Sequence, residues 1–392
     1  MEALQKYLAE LHETCKQASQ TQTSILPLIG DIKSICFHEI EPSNLSLCTD
    51  ILVTSEIGIL SFLQKTCNRK DIPKREEVAH FFHEYVQYMR YRQFPYAEYV
   101  VCSLMSLFRR EQASNTVRNA FLSPVNSILQ HYHDTINPAL LGVTPPPTPV
   151  FSNSTLSASG AANTASSGQG VREMVDTLMR EFITVRGSVQ SLKSTILCIL
   201  GSLAEYFPDD VEYKIQALSP LFLDTLQGQF KAKKQDQRLI AGALEGLCSL
   251  LMCFPSVVTS PAAVKNKVLQ HLYMYIRASV NLPEKLARYD VPRAALKMLG
   301  KHSYILREYC VEDCKHLYDC ITTLCLHTNK VLRGLAYDAL DAFLVEVAAE
   351  LTRQRRDPSA DRETFSYFIM KFWSMLSQSS RVSDIAIATR VC

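Results

Sequence analysis

The sequence predicts an all-α fold in which antiparallel helix pairs stack in a continuous array. Apolar residues recur at helical spacing along most of the 392 residues, as in NKVLRGLAYDALDAFLVEVA, residues 329–348, where an apolar pair returns at every fourth position. Strand signals are scarce, because no run of strict alternation ends in Asn-Gly or Asp-Gly. Several apolar positions of 329–348 are Ala or Gly, which lets a second helix approach closely. We expect this helix to pack on its own partner and on a neighbouring pair.

Seven further stretches carry the same apolar periodicity and are predicted to be helices. In chain order they are residues 2–19, 74–91, 94–111, 188–206, 236–254, 310–326 and 361–378. Three Ser-Pro dipeptides are expected to open helices, with Ser as the cap and Pro at the first helical position, where a missing N–H costs no hydrogen bond. These dipeptides are Ser123-Pro124, Ser219-Pro220 and Ser260-Pro261.

Ala-Leu pairs recur inside three similar helices and predict internal repetition. They occur at 243–244, 295–296 and 339–340, with irregular separations that approach the ~40–47 residues of a HEAT-like helix pair. We interpret the array as a HEAT-like α-solenoid, and a plain helical bundle is the alternative fold. The sequence stops at SDIAIATRVC, in an apolar-periodic stretch without a polar capping repeat. We therefore expect an amino-terminal fragment of a longer array.

One segment differs in composition from the rest of the chain. Residues 144–170, TPPPTPVFSNSTLSASGAANTASSGQG, contain no charged residue and are mostly Pro, Ser, Thr, Ala, Gly and Asn. Such a segment cannot bury enough apolar surface to become ordered. We predict a disordered linker or insertion over 143–170, between amino-terminal helical repeats at 1–142 and continuing HEAT-like repeats at 171–392.

Overall composition limits the class of protein. Apolar residues make up 47% of the chain, enough for an extended core, and 41 Lys and Arg against 39 Asp and Glu leave a formal charge of +2. This balance excludes a protein that is basic throughout but allows a local basic patch. The thirteen cysteines are an odd number scattered through apolar runs, which indicates buried free thiols in a reducing compartment.

Neither a signal peptide nor a membrane span is predicted. Residues 1–17 form an amphipathic pattern without the basic and apolar regions of a signal peptide. The window 239–254 is strongly apolar, but it carries Glu245 and is shorter than the ~20 residues that span a bilayer. We expect an intracellular protein of the cytosol or nucleus that makes no membrane contact.

Several stretches resemble a single protein family. They are similar, in order and at close to its spacing, to the amino-terminal HEAT-repeat region of the DNA-dependent protein kinase catalytic subunit, in the phosphatidylinositol-3-kinase-related kinase family. The stretches are LCTDILVTSEIGILSFLQKTCNRKDIPKREEV (47–78), LKSTILCILGSLAEYFPDDV (192–211), RLIAGALEGLCSLLMCF (238–254), LARYDVPRAALKMLGKHS (286–303), LCLHTNKVLRGLAYDALDAFLVEV (324–347) and SYFIMKFWSMLSQSSRVSDIAIATR (366–390). The resemblance is densest from residue 238 onward and faintest over 92–142, and 144–170 departs from it as an insertion.

This resemblance implies the amino-terminal scaffold of a Ser/Thr protein kinase. Such a scaffold would engage double-stranded DNA ends with the Ku heterodimer, in non-homologous end joining in the nucleus, and would contact the remaining repeats of the full-length kinase. The chain contains no His-Arg-Asp or Asp-Phe-Gly motif and no Gly-rich phosphate loop. We therefore expect the fragment to be non-enzymatic and to need no cofactor, with ATP and Mg confined to a kinase domain elsewhere.

Two basic clusters are candidates for DNA contact, and a solvated turn between helices is the alternative for each. The stronger is KAKKQDQR, whose bunched cations suit a phosphate contact that reads no base sequence. Its candidate residues are Lys231, Lys233, Lys234 and Arg238. The weaker is RKDIPKR, where neighbouring carboxylates neutralise part of the charge. Its candidate residues are Lys70, Lys74 and Arg75.

Five hydroxyl side chains are candidate phosphorylation sites. Thr144 and Thr148 precede proline in TPPPTP, and Ser19, Thr21 and Ser377 precede Gln, the dipeptide preferred by kinases of the resembled family. An inert tether is the alternative interpretation of the proline-rich sites.

A cysteine-rich stretch, CVEDCKHLYDCITTLC at 310–325, raises the question of zinc, with His316 and His327 nearby. Structural zinc sites usually place a Cys-x2–4-Cys pair on a turn or knuckle, whereas these cysteines fall within one continuous helical pattern. Residues 310, 314 and 321/325 share a face with Leu317 and Leu324. We therefore favour core packing and predict no metal.

The rival function is a HEAT/armadillo-type adaptor that binds protein or peptide partners and never DNA. The position of the basic turns distinguishes the two functions. Basic turns that line a surface wide enough for a duplex favour the DNA scaffold, whereas an acidic or apolar surface favours the adaptor.

Overall fold

The computed structural model of the chain is built of helices. It describes residues 1–17, 25–72, 74–138, 141, 169–185, 190–256, 262–280, 289–306, 311–354 and 366–374. Within these ranges the regular structure is α-helix with short 3₁₀ and π segments, and no strand occurs. The predicted all-α fold is confirmed. The chain divides into two compact units, Met1–Lys214 and Ile215–Cys392.

The first unit contains helices of 4 to 18 residues. They are α1 (Glu2–Gln17), α2 (Leu26–Ser34), α3 (Leu45–Thr54), α4 (Ile59–Thr66), α5 (Glu76–Met89), α6 (Ala97–Arg110), α7 (Asn115–Tyr132), α8 (Gln169–Thr184), α9 (Gln190–Tyr206) and α10 (Pro208–Val211). A π-helical turn, Ile35–Glu39, continues α2. Short 3₁₀ turns cover Pro42–Asn44, His133–Thr135 and Glu212–Lys214.

The second unit contains helices of 12 to 25 residues. They are α11 (Ile215–Lys231), α12 (Gln237–Cys253), α13 (Ala262–Val280), α14 (Asp290–Lys301), α15 (Val311–Cys325) and α16 (Lys330–Gln354). A 3₁₀ turn covers Ser303–Leu306, and residues 366–374 are helical. Six predicted helices, from 2–19 to 310–326, agree with the observed bounds to within three residues at each end. The seventh, 361–378, falls partly outside the described residues.

Side-chain caps fix several helix starts. Ser114 Oγ accepts a hydrogen bond from Val117 N at 3.3 Å at the start of α7. Asn329 Oδ1 accepts from Val331 N and Leu332 N at 3.0 Å at the start of α16. Each cap satisfies main-chain N–H groups that the first turn of a helix leaves without a partner.

Two of the three Ser-Pro predictions are wrong, because the prolines lie inside helices. Pro124 belongs to α7 and Pro220 to α11, and each loses the hydrogen bond to the carbonyl four residues earlier. In α7, Phe121 and Val125 are buried on either side of Pro124, so packing holds the helix together across the missing bond. Ser260-Pro261 lies outside the described residues.

Helix pairs stack side by side in the first unit. The helix α5 packs on α7, which packs on α9, while α4 packs on α6. Within the pairs, α6 packs on α7 and α8 on α9. Buried aromatic side chains fill the interior, including Phe82, Tyr85, Phe108 and Phe121. Because each helix contacts its partner and the next pair, the core is continuous along the unit.

The second unit repeats this arrangement with the pairs α11–α12, α13–α14 and α15–α16. The second helices of the pairs pack in succession, α12 on α14 and α14 on α16, and α13 packs on α15. This succession matches the predicted stack of helix pairs within the unit.

The helix α16 contains the wide apolar face predicted at 329–348. It packs on both α15 and α14, so that prediction is confirmed. A β-carbon at Gly300 of α14 would stand 3.5 Å from Ala339 N, within van der Waals contact of the α16 main chain. Ala336 and Ala339 are fully buried. Small side chains on this face therefore allow the close approach of the two helices.

The predicted linker at 143–170 falls almost wholly outside the described residues and stays a prediction. The helix α8 begins at Gln169, two residues before the predicted start of the second set of repeats. The helices α7 and α9 lie on either side of the predicted linker in sequence and pack together in the first compact unit. That unit ends at Lys214.

One stretch, Pro42–Thr66, is long and apolar enough to cross a membrane by composition, with a mean hydropathy of 1.5. The fold divides it into α3 and α4, which are joined by a turn at residues 55–58. Its side chains, Leu52 and Leu60 among them, are largely buried in the first unit. Packing in the core of a helical unit accounts for this hydropathy.

Candidate nucleic-acid interface

The KAKKQDQR cluster occupies the connection between α11 and α12. Lys231 is the last residue of α11, Lys233 and Lys234 lie in the connection, and Arg238 lies in the first turn of α12. All four side chains are exposed. The structure therefore brings the four candidates together at one turn, as the sequence predicts.

Two polar side chains fix the main chain of this turn. Gln229 Oε1 accepts a hydrogen bond from Asp236 N at 2.8 Å. The Asp236 carboxylate caps α12 by accepting from Arg238 N at 3.0 Å and from Leu239 N at 3.1 Å. The lysines therefore extend from a main chain that is held on both sides, which lowers the entropy lost when they bind a ligand.

The three lysines keep their positive charge available to solvent. Among the residues that the structure describes, no carboxylate lies within 4 Å of the ammonium groups of Lys231, Lys233 and Lys234. The nearby Asp236 directs its oxygen towards the N–H groups of α12. Exposed ammonium groups without a protein partner are suited to the phosphate backbone of a nucleic acid.

The second basic cluster is divided by the fold. Lys70 and Lys74 are exposed, but the Arg75 side chain is buried. Arg75 Nη2 donates to Glu111 Oε1 at 2.8 Å, and Arg75 Nη1 donates to the carbonyl of Thr66. Arg75 is therefore a structural ion-pair partner, and it is removed from the set of candidate DNA contacts. Only Lys70 and Lys74 remain from this cluster.

Comparison with known proteins decides the family. A family model described as "DNA-PKcs, N-terminal" matches residues 158–391, more than half of the chain. The chain belongs to the DNA-PKcs amino-terminal family. The turn from Lys231 to Arg238 lies inside the matched region, whereas Lys70 and Lys74 precede it.

Individual relatives extend the similarity over nearly the whole chain. The DNA-dependent protein kinase catalytic subunit of Dictyostelium discoideum is 28% identical over 375 residues, which is 94% of this chain. The proteins of the same name from Xenopus laevis and Canis lupus familiaris are each 22% identical, over 89% and 91% of this chain. The chain spans only 8% of the length of each of these relatives.

A cavity of about 530 Å³ in the first unit of this DNA-PKcs family member is lined by α6 and α8. Its charged lining combines three arginines with three carboxylates: Arg109, Arg172, Arg180, Glu173, Asp176 and Glu181. Arg109 Nη1 donates to Glu173 Oε1 at 3.0 Å. Since the charges of the lining balance, the cavity offers no net attraction to a polyanion.

The predicted phosphorylation sites Thr144, Thr148, Ser19, Thr21 and Ser377 all lie outside the described residues and stay predictions.

The zinc question concerns helix α15. Cys320 and Cys325 lie on this helix and form no disulfide with a described residue, while Cys310 is outside the described residues. His327 Nδ1 accepts a hydrogen bond from Asn329 N at 3.0 Å. No group of three metal-ligating side chains occurs in the part of the chain that the structure describes.

Sequence reasoning missed one exposed basic and aromatic group, at the end of α5. Arg90 and Arg92 lie over the rings of Tyr91 and Tyr88, respectively. The signal was present in the sequence as YMRYR, residues 88–92, in which tyrosine and arginine alternate. Surfaces that bind single-stranded nucleic acid combine basic side chains with aromatic rings on which bases stack.

Proposed function

We propose that this chain is a non-enzymatic scaffold segment of a DNA-dependent Ser/Thr protein kinase. In this role it engages double-stranded DNA ends together with the Ku heterodimer, in the nucleus, during non-homologous end joining. Membership of the DNA-PKcs amino-terminal family carries the proposal. ATP and Mg would act in a kinase domain outside this segment, and the other repeats of the kinase would pack against it.

The turn formed by Lys231, Lys233 and Lys234, which we call the lysine turn, is the proposed duplex contact. Ammonium groups on a fixed turn bind phosphate oxygens as point charges and displace condensed counterions. Phosphate contacts position a protein on DNA without reading the base sequence. That property suits a scaffold that must accept any broken end. Lys70 and Lys74 are proposed as weaker contacts of the same kind.

Binding of the 392-residue chain to a fluorescent blunt-ended duplex, with and without Ku, tests this proposal. The test variant is Lys231→Glu/Lys233→Glu/Lys234→Glu. The matched control is Lys297→Glu/Lys301→Glu/Lys330→Glu, which makes the same charge change at exposed lysines of the second unit. Lys301 ends α14 as Lys231 ends α11, so both variants place a carboxylate at a helix carboxyl terminus.

The proposal expects binding that Ku strengthens and that salt weakens. The test variant should lower the slope of log affinity against log salt by about 0.9 for each phosphate that the lysines no longer neutralise, and the control should leave that slope nearly unchanged. Equally weakened binding in both variants would show a dependence on net charge alone and contradict a contact at this turn. No duplex binding with Ku at low salt would contradict the DNA scaffold and favour the HEAT/armadillo-type adaptor.

A further inference from the structure

The end of α5 carries two arginine–tyrosine stacks on the protein surface. Arg90 Cζ lies 4.5 Å from the ring centroid of Tyr91, and Arg92 Cζ lies 4.8 Å from that of Tyr88. Tyr91 is 85% exposed and Tyr88 is 37% exposed. We name residues 88–92 the Arg–Tyr patch. The Arg90 guanidinium covers one face of the Tyr91 ring. Because Tyr91 is so exposed, the rest of its ring surface is open to a flat ligand.

The guanidinium groups of the patch bind no carboxylate among the residues that the structure describes. Neither Arg90 nor Arg92 forms an ion pair or a side-chain hydrogen bond with any residue that the structure describes. By contrast, Arg75, Arg109 and Arg118 of the same unit each bind a carboxylate. Within the described part of the chain, the patch therefore presents two forked donor groups that lie over aromatic rings and form no ion pair with an acid.

Buried aromatic residues hold the connection that follows α5. Phe94 is buried, with its ring centroid 5.3 Å from that of Tyr132 on α7. Tyr96 is also buried, and its hydroxyl donates to Asp50 Oδ1 at 2.6 Å. Arg92 N donates to the carbonyl of Met89 at 2.8 Å. Because its main chain is anchored in this way, the patch loses little conformational entropy on binding.

The charged groups near the patch leave it positive. Glu84 lies one helical turn before Tyr88, but its carboxylate binds Lys33 Nζ at 2.8 Å. His131 of α7 is close enough to Arg90 to feel its charge: partial burial and then the Arg90 guanidinium lower the pKa of His131. Arg90 and Arg92 thus place two positive charges at the patch, beside a carboxylate that is already paired with Lys33.

We propose that the Arg–Tyr patch binds unpaired nucleotides of a DNA strand. In this arrangement a base stacks on Tyr91, and Arg90 and Arg92 donate to the phosphates on either side of it. Every base has a π face, so an exposed ring holds bases of any sequence, while arginine forks fit phosphate oxygens in pairs. A base inside an intact duplex cannot reach such a ring, because its faces are covered by its neighbours.

This inference deepens the proposed function, on which it rests, by assigning contacts with the unpaired part of a DNA end to the first unit. It separates them from the lysine turn of the second unit, to which the duplex backbone is assigned. The two contacts differ in chemistry: the lysine turn contains no aromatic side chain, whereas the patch combines cations with rings. Each can therefore be removed by its own substitution.

The test measures binding of the 392-residue chain to three fluorescent probes. These are a single strand of about 15 thymidines, which exceeds the contact of a small patch, a blunt duplex, and that duplex with an unpaired extension. The test variants are Tyr91→Ala and Arg90→Ala/Arg92→Ala. Tyr91→Phe keeps the ring and serves as rescue, while Arg277→Ala/Arg293→Ala removes two exposed arginines from the second unit as the charge control.

We expect both test variants to weaken binding of the single strand about ten-fold at low salt and to abolish the preference for the extended duplex over the blunt one. Tyr91→Phe and the charge control should stay within about two-fold of the wild type. Unchanged strand binding by Tyr91→Ala would overturn the proposal. So would weakened binding in the arginine variant alone, because the patch would then be a plain anion-binding surface.

Failure of this inference is distinguishable from failure of the proposed function. If Tyr91→Ala changes nothing while the Lys231, Lys233 and Lys234 variant weakens the blunt duplex, the patch assignment fails and the DNA scaffold stands. If the single strand binds through Tyr91 but the blunt duplex does not bind even with Ku, the patch stands and the scaffold proposal fails.

Discussion

Arg75 Nη2 lies 2.8 Å from Glu111 Oε1, and both side chains are buried. The Glu111 carboxylate also accepts hydrogen bonds from main-chain N–H groups of Asn68, at 2.9 Å, and of Ala113, at 2.8 Å. This one carboxylate therefore joins the connection before α5 to the connection between α6 and α7. The ion pair holds two helix pairs of the first unit together.

Replacing Arg75 by Met should destabilise the first unit strongly. The substitution leaves the Glu111 carboxylate buried without its cation, and breaking a buried pair in this way costs about 3–5 kcal/mol. Urea unfolding followed by circular dichroism measures the change. DNA affinity under native conditions should be unaffected, because Arg75 is not exposed to a ligand.

The exposed pair Lys6–Glu10, with a distance of 3.9 Å between Nζ and Oε1, provides the control. Lys6→Met should barely move the urea midpoint, since exposed pairs contribute little. If Arg75→Met leaves the urea midpoint unchanged and weakens duplex binding, the structural role of the Arg75–Glu111 pair is contradicted. Arg75 would then again be a candidate DNA contact.

Local sequence pattern predicts many helices of this chain but not every helix boundary. The positions of several helices, α5, α9 and α12 among them, followed from apolar periodicity, because each buried face imposes a spacing that is visible in the sequence. The Ser-Pro prediction was wrong at Pro124, because a proline costs a helix one hydrogen bond and burial of its neighbours compensates for that loss. No local signal reports how much packing a helix gains on each side of a proline.

The candidate site was predicted only in part, for a related reason. The Lys231–Arg238 turn was predictable, because its cations are adjacent in sequence. The burial of Arg75 was not, since its partner Glu111 lies 36 residues further along the chain. The stacking of Arg92 on Tyr88 depends on how the chain leaves α5, and that path is fixed by buried Phe94 and Tyr96. Sequence alone indicates only that tyrosine and arginine alternate there.

Two glycine substitutions in the first unit should change stability in opposite directions. A β-carbon at Gly58 would lie 2.5 Å from the Ile51 carbonyl oxygen and 2.7 Å from that of Leu52. Gly58→Ala therefore forces a main-chain shift and should destabilise by about 1–3 kcal/mol. Gly30, exposed in α2, has no heavy atom within 4 Å of such a β-carbon. Gly30→Ala should stabilise by about 0.5–1 kcal/mol.

Urea midpoints of the two variants, measured side by side, test this contrast. A Gly58→Ala protein as stable as the wild type would contradict the close approach of the turn at 55–58 to α3. Destabilisation by Gly30→Ala would contradict the exposed helical position of that residue.

Stability should fall as the pH drops from 7.5 to 5.5. Burial lowers the pKa of His12, His83 and His271, with neighbouring cations adding to the effect at His12 and His271. A histidine whose folded pKa lies below its unfolded value of about 6.5 takes up protons more readily in the unfolded chain. Its contribution to stability is therefore complete above about pH 6.5 and is lost as the pH falls below that value.

Urea unfolding at pH 7.5 and at pH 5.5 measures this loss, and His83→Gln should reduce it. Glutamine cannot take up the proton, but it keeps a polar group beside Ser127 Oγ, which lies 3.2 Å from His83 Nδ1 in the wild type. A wild-type midpoint that is the same at both pH values would contradict the lowered pKa values of these histidines.

Two substitutions of Asp236 distinguish the effect of charge at the lysine turn from the effect of the helix cap on stability. Asn caps a helix about as well as Asp, so Asp236→Asn should keep the urea midpoint while removing a negative charge near Lys233 and Lys234. We expect about two-fold tighter duplex binding at low salt, a gain that shrinks as salt screens the charges. Asp236→Ala should show the same gain but lose about 1 kcal/mol of stability with the cap. The triple lysine variant could bind the duplex more weakly while the Asp236→Asn protein binds it no more tightly than the wild type. That result would show that the phosphates lie away from the Asp236 carboxylate.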